Sequence, residues 1–283
     1  MVSLRLSLRA ALLAAWVLLV GCGGAIPLTD PFQDARAIAA TPDGRLWIVD
    51  GGEAAIRVLE GGLEVARIGG AGTGEGAFLD TVDVDTSNGL AVFVADRAAG
   101  TVLQFTSELR LALEVVVPDV DPARPVRLPA GAVRDGARGQ PLAVAAAPDG
   151  VLFVLDAGRR HVLQLSAEGD VERVLGAGLL VEPVDLALAD DGTLWVADRA
   201  RRALQPVDRF GAPGPALEVG NVVSVSAAAS GLVVGLEDGV ARVRRDLEVG
   251  ASATVAGPVV GALEVGGAVL VLTPSGVRDV AVD

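Results

Sequence analysis

Four aspartates close short apolar runs at similar places along the chain: Asp50 in "LWIVD", Asp96 in "VFVAD", Asp156 in "LFVLD" and Asp198 in "LWVAD". A carboxylate can serve as general acid or base, or as a ligand for a hard cation. Either role needs such a group once. A carboxylate that recurs in every unit suits the backbone N–H groups of a turn. Asp50, Asp96, Asp156 and Asp198 are therefore read as structural turn residues, with no catalytic residue among them. Arginines cluster just after them: Arg97, Arg159, Arg160, Arg199, Arg201 and Arg202. Guanidinium groups grouped on one face could receive an anionic ligand or an acidic partner, or they could pair with the blade carboxylates.

Other chemistries lack their residues. His161 is the only histidine and Cys22 the only cysteine, so a His- or Cys-rich metal site cannot be built. No Gly-x-Ser-x-Gly elbow is present. The glycine-rich run Gly69 to Gly76 has neither G-x-G-x-x-G spacing nor a trailing Gly-Lys-Ser/Thr. Asn88 sits in an "SNG" turn, where a turn role is the better reading. No metal site and no cofactor are expected, although a carboxylate-only calcium site stays open.

The elements that position these residues repeat. The four aspartates are 46, 60 and 42 residues apart, and each is preceded by a second apolar run ending at "PDG", "SNG" or "DDG". Two looser copies follow, making six units. Runs of four to eight residues rich in Val, bounded by Asp-Gly and Asn-Gly, read as strands and tight hairpins. The fourth unit divides into "VDLAL", "TLWVAD", "RALQPVD" and "ALEVG". The first two are apolar on both faces, as a sheet between two other sheets must be. The expected fold is all-β: a six-bladed β-propeller of four-stranded antiparallel blades over residues 35–283. The last unit shows three strands, and the segment "AIPLTD" (25–30) is expected to supply the fourth and close the ring.

The stretch Gly69 to Asp96, with its glycine-rich loop leading to Phe78, and the phrases "RRALQPVDRFG" and "RRHVLQLSAEG", with Gln104, Gln164 and Gln205 in register, resemble the NHL-repeat family. The resemblance implies a six-bladed propeller used mostly for binding. Members that bind RNA present a basic face, whereas this chain carries a net charge of −13, so no nucleic acid partner is expected.

One spacing exceeds the repeat. Between Asp96 and Asp156 lies an insert, Val117 to Gln140, with Arg124, Arg127, Arg134 and Arg138. A connection this long in a compact repeat is usually functional or disordered. The turns between second and third strands share a face with the inter-blade connections. The insert and the turn arginines should meet there, near blades two to four.

The N-terminus belongs to targeting. Arg5 and Arg9 precede an eleven-residue apolar run, Ala10 to Val20, shorter than the roughly 20 residues of a membrane span. The "LVGC" that follows resembles the lipobox of bacterial lipoproteins. It implies a signal peptide over 1–21 and lipidation of Cys22, with residues 22–34 as tether and closing strand. The resulting expectation is an exported monomer, anchored to a membrane through Cys22. In an organism with two membranes the anchor would lie on the periplasmic side of the outer one. Its partner would be an envelope protein or a small ligand. Two alternatives stand beside this non-catalytic binding module: a divalent-cation-dependent lactonase-like hydrolase or lyase, and a scaffold subunit of an envelope complex.

Overall fold

The computed structural model describes residues 31–70, 76–121 and 137–282. They form six antiparallel sheets arranged as a six-bladed β-propeller. Blade one runs outward from Ala35–Ala40 through Leu46–Asp50 and Ala55–Glu60 to Leu63–Gly69. The innermost strands of the other blades are Thr81–Asp85, Pro141–Ala146, Pro183–Leu188, Val222–Ala228 and Gly261–Val265. Each innermost strand packs beside the next, and the last returns to the first, so the ring closes around a channel. No helix is long and apolar enough to cross a membrane among the described residues.

The sequence dictates this arrangement through its second strands. "LWIVD", "VFVAD", "LFVLD" and "LWVAD" are buried at every position. A strand buried on both faces needs a neighbour on each side. Blades supply this by stacking face to face, and there is one apolar cluster for each of the six interfaces. Each fully buried Val, Leu or Ile contributes about 1.5–3 kcal/mol of transfer free energy, so the clusters carry most of the stability. The hairpins between first and second strands turn at Gly44, Gly150 and Gly192, with φ of 87°, 89° and 83°. Glycine takes this conformation without steric cost, which is why "DG" recurs.

Gly69 shows a different demand. A Cβ there would collide with the ring of Phe78, which is fully buried and stacks edge-to-face on Phe105 at 6.0 Å. The glycine thus admits the aromatic anchor that fastens the connection from blade one to blade two.

Blade six has three strands among the described residues: Gly261–Val265, Ala268–Thr273 and Gly276–Val280. The closing strand expected from 25–30 lies outside the described residues. Among the described residues, Phe32 already packs into the core. Phe32 joins Leu46, Leu59 and Leu270 in the cluster between blades six and one, and the Arg57 guanidinium lies 4.7 Å over its ring. Arg57 is itself buried. It pairs with Glu64 at 2.7 Å and reaches Asp50 at 3.7 Å and the carbonyl of Pro31 at 3.3 Å.

Candidate functional site

The turn aspartates act on the backbone. Asp198 is completely buried and accepts N–H groups from Val181 (2.7 Å), Glu182 (3.1 Å) and Arg201 (3.2 Å). Asp96 does the same for Leu79, Asp80 and Ala99. Asp50 takes Gln33 and Asp34, and Asp156 takes Gln140 and Arg159. Each carboxylate therefore ties the incoming inter-blade connection to its own blade, and all but Asp50 also receive the N–H three residues on. In blade six Thr273 stands in this place and bonds the Gly276 carbonyl.

The arginines after these aspartates pair with carboxylates on the connections. Arg97 bonds Asp80 at 2.8 Å, Arg159 bonds Asp119 at 2.6 Å and Arg199 bonds Glu182. Arg201 reaches Asp198 at 3.7 Å. Arg160 donates to the Val181 carbonyl and Arg138 to that of Ala99. Arg202 is exposed with φ of 56°. Arg124, Arg127 and Arg134 lie outside the described residues, as does Cys22. The Arg36 and Arg97 guanidinium groups hold the Asp80 carboxyl below the usual carboxylate range against its partial burial, and Arg159 does so for Asp119. Among the described residues, Arg97, Arg159, Arg199 and Arg201 are thus paired locally with carboxylates.

The described ends of the insert meet the turns of blades two and three, through Arg138 to the Ala99 carbonyl and Asp119 to Arg159. They are also part of the core. Asp119 N bonds Ala137 O, Gly139 N bonds Val117 O, and Val117 and Val120 are buried between blades two and three. Two valines make this a packed stem, so the replaceable segment is 122–136, shorter than the span from Val117 to Gln140.

His161 is fully buried, and neither ring nitrogen has a hydrogen-bond partner among the described residues. Burial pushes its pKa down, against the nearby Asp156 and Asp119, and favours the neutral ring. It lies beside the insert stem, away from the channel.

The six innermost strands line a channel of about 530 Å³. Its walls are mainly small and branched apolar residues from the six innermost strands, interrupted by Asp83, Asp85 and Asp185. These three were not singled out by the sequence reading. Each reaches into the next blade. Asp83 accepts Val144 N at 2.8 Å, Asp85 accepts Ala146 N at 3.0 Å, and Asp185 accepts Val225 N at 2.8 Å. Desolvation raises all three: Asp85 to about 6, Asp185 to about 7, and Asp83 well above the carboxylate range with repulsion from Asp185 adding to the effect. Ser87 and Ser226 make similar clasps to the carbonyls of Ala146 and Ala262. No group of three His, Cys, Asp or Glu residues is placed to hold a metal ion among the described residues.

No family model matches the chain, so the likeness to NHL repeats rests on the quoted motifs alone, and no curated protein matches its sequence. Solved structures match in fold. A streptogramin B lyase aligns with TM-score 0.65 and 13% identity over 92% of this chain and 97% of its own. A protein assigned as a gluconolactonase gives 0.70 and 12% over 92% of each chain. A structure of a nidogen/laminin complex gives 0.60 and 14% over 78% of this chain and 80% of the matched one. Identities this low establish a shared propeller and nothing of activity.

Proposed function

We propose that the protein is a lipid-anchored, non-catalytic binding propeller of the bacterial cell envelope. One observation carries this reading: its recurrent and channel carboxylates are engaged by backbone N–H groups, where they hold the blades together. A carboxylate fixed this way is a poor mobile acid or base. The leader and the "LVGC" motif support export and attachment through Cys22. The insert, rising from a rigid stem on the turn face, supplies the specificity element, since binding residues concentrate on loops held by a rigid scaffold. A propeller within a nidogen/laminin structure is in keeping with use as a binding platform.

A second reading, a cation-dependent lactonase-like hydrolase or a lyase, is favoured by the raised channel carboxylates and by the lyase and gluconolactonase neighbours. Calcium separates the two. Thermal melting in millimolar calcium and in chelator is expected to coincide within about 1 °C, because a ligand stabilises only as far as it binds the native state. Saturable stabilisation by several degrees would favour the enzyme.

A further inference from the structure

We infer that a crevice between blades one and two, on the face opposite the insert, binds a small uncharged carbonyl compound with an apolar body. The site goes beyond the envelope-binding reading and uses neither the insert nor the channel.

The crevice holds about 250 Å³. Hairpins frame it: residues 41–45 between the first two strands of blade one, residues 89–91 in the matching place of blade two, and Ser107 between the third and fourth strands of blade two. Trp47 is the second residue of Leu46–Asp50, just below the first of these hairpins, and lines the crevice from beneath. Its side chain packs toward blade two, in the cluster of Val92 and Phe105.

The indole is the sign of a ligand. Trp47 is 1% exposed, and its Nε1 has no hydrogen-bond partner among the described residues. A buried indole N–H ordinarily finds an acceptor, and leaving it without one is costly. Packing alone does not call for this donor. Blades two and three place Phe93 and Phe153 at the same point of "VFVAD" and "LFVLD". The aromatic ring meets the structural need, and the N–H of blade one is an addition to it.

The rest of the crevice selects the acceptor. Its other polar side chains are already engaged: Thr41 bonds Asp43, Arg45 pairs with Asp43 and Glu60, and Ser107 donates to Glu108. What the indole lacks is therefore one neutral acceptor. A carboxylate would meet Asp43, and an ammonium group has no lone pair to offer. The remaining walls, Pro42, Ala91, Val92 and Leu90, are apolar. Leu90 is 76% exposed, and a hydrocarbon body laid against it would remove that surface from water. The mouth has room, since a Cβ at Gly89 would touch only Pro42, at 3.8 Å. Mostly apolar walls with one placed polar group are the pattern of small-molecule sites. A volume below the usual range of about 300–1,000 Å³ restricts the ligand to a small body.

The test is NMR titration of the 15N-labelled full-length chain in detergent, with two probes that share one ring. Cyclohexanone supplies the carbonyl. Cyclohexylamine is protonated at pH 7 and can only donate. Cyclohexanone is expected to move the Trp47 indole N–H signal saturably downfield, while the Trp195 signal stays in place. The Trp47 signal is assigned by its absence from Trp47→Phe. Cyclohexanone should bind at least about fivefold more tightly than cyclohexylammonium, the ratio that one net hydrogen bond provides. Binding to variants is read from the Gly89 backbone amide. Trp47→Phe should weaken cyclohexanone binding about fivefold. Leu90→Ala, at an exposed position, should weaken it about threefold and leave the indole shift at saturation unchanged. If Trp47→Phe acted only by reshaping the crevice, the wild-type indole signal would stay still at saturation, and the proposal would fall. Equal affinity for the ammonium probe, undiminished binding by Trp47→Phe, or no saturable binding of cyclohexanone would also overturn it.

Discussion

Replacing Asp198 with alanine is expected to destabilise the propeller by about 3–5 kcal/mol. The carboxylate is buried and accepts three backbone N–H groups, from Val181, Glu182 and Arg201. Alanine leaves those donors without their acceptor at a partly buried turn. Each stranded donor costs about 1–3 kcal/mol, and partial relaxation of the turn recovers some of the sum. For a domain of this size the melting temperature should fall by about 10 °C. Asp198→Asn retains one acceptor oxygen but opposes an amide to one of the donors, so an intermediate loss is expected. Thermal melts of the three proteins check this order. An alanine variant that melts with the wild type would show that the turn does not depend on its carboxylate.

The pH profile should run opposite to common acid sensitivity. The folded protein holds the Asp85 carboxyl up to about 6 and the Asp185 carboxyl to about 7, and Asp83 is raised with them. The unfolded chain returns these groups to near 3.8. A group with a raised folded pKa binds protons more tightly when folded. Its stabilising contribution is complete below the unfolded value and disappears as pH rises through the folded one. Stability should therefore decline between about pH 5 and pH 8, by about 1–2 kcal/mol for each of Asp85 and Asp185 once screening by solvent in the open channel is allowed for. Below about pH 4 the groups with lowered values, Asp80, Asp119 and Glu64, act in the opposite direction. Denaturant midpoints across this range measure the slope. Asp185→Asn should flatten it, and a profile that climbs from pH 5 to pH 8 would contradict the assignment.

Much of the fold was legible because two local signals agree with the global one. Strands such as "LWIVD" are apolar on both faces, and Asp-Gly sits where a hairpin needs positive φ. The backbone duty of Asp50, Asp96, Asp156 and Asp198 could be read from their recurrence alone. The channel carboxylates were hidden by their setting. In "TVDVD" two aspartates alternate with valines, which reads as an ordinary half-polar strand. Only the ring shows that this face points to the channel and to blade three, and that the same positions hold alanine in blades one and three. The arginine pairings were illegible for a similar reason. Arg97 and Asp80 meet only once the Thr81–Asp85 and Val92–Asp96 strands pair, and Arg159 and Asp119 only once blades two and three stand side by side. The insert showed its length but not its valine stem, because Val117 and Val120 become core only against blade three.

The central claim is that this propeller binds a partner at the membrane and that the insert selects it. Its most direct test is capture from detergent-solubilised envelope, using the full-length chain and a variant in which residues 122–136 are replaced by a short Gly-Ser linker. The stem at Val117, Asp119 and Arg138 is kept, so the variant should melt within about 3 °C of the wild type, since loop closure changes stability by well under 1 kcal/mol for so modest a change in length. The account predicts that the wild type retains a defined partner and that the variant loses it while remaining folded. Undiminished capture by the folded variant, or no specific partner for the wild type, would contradict it.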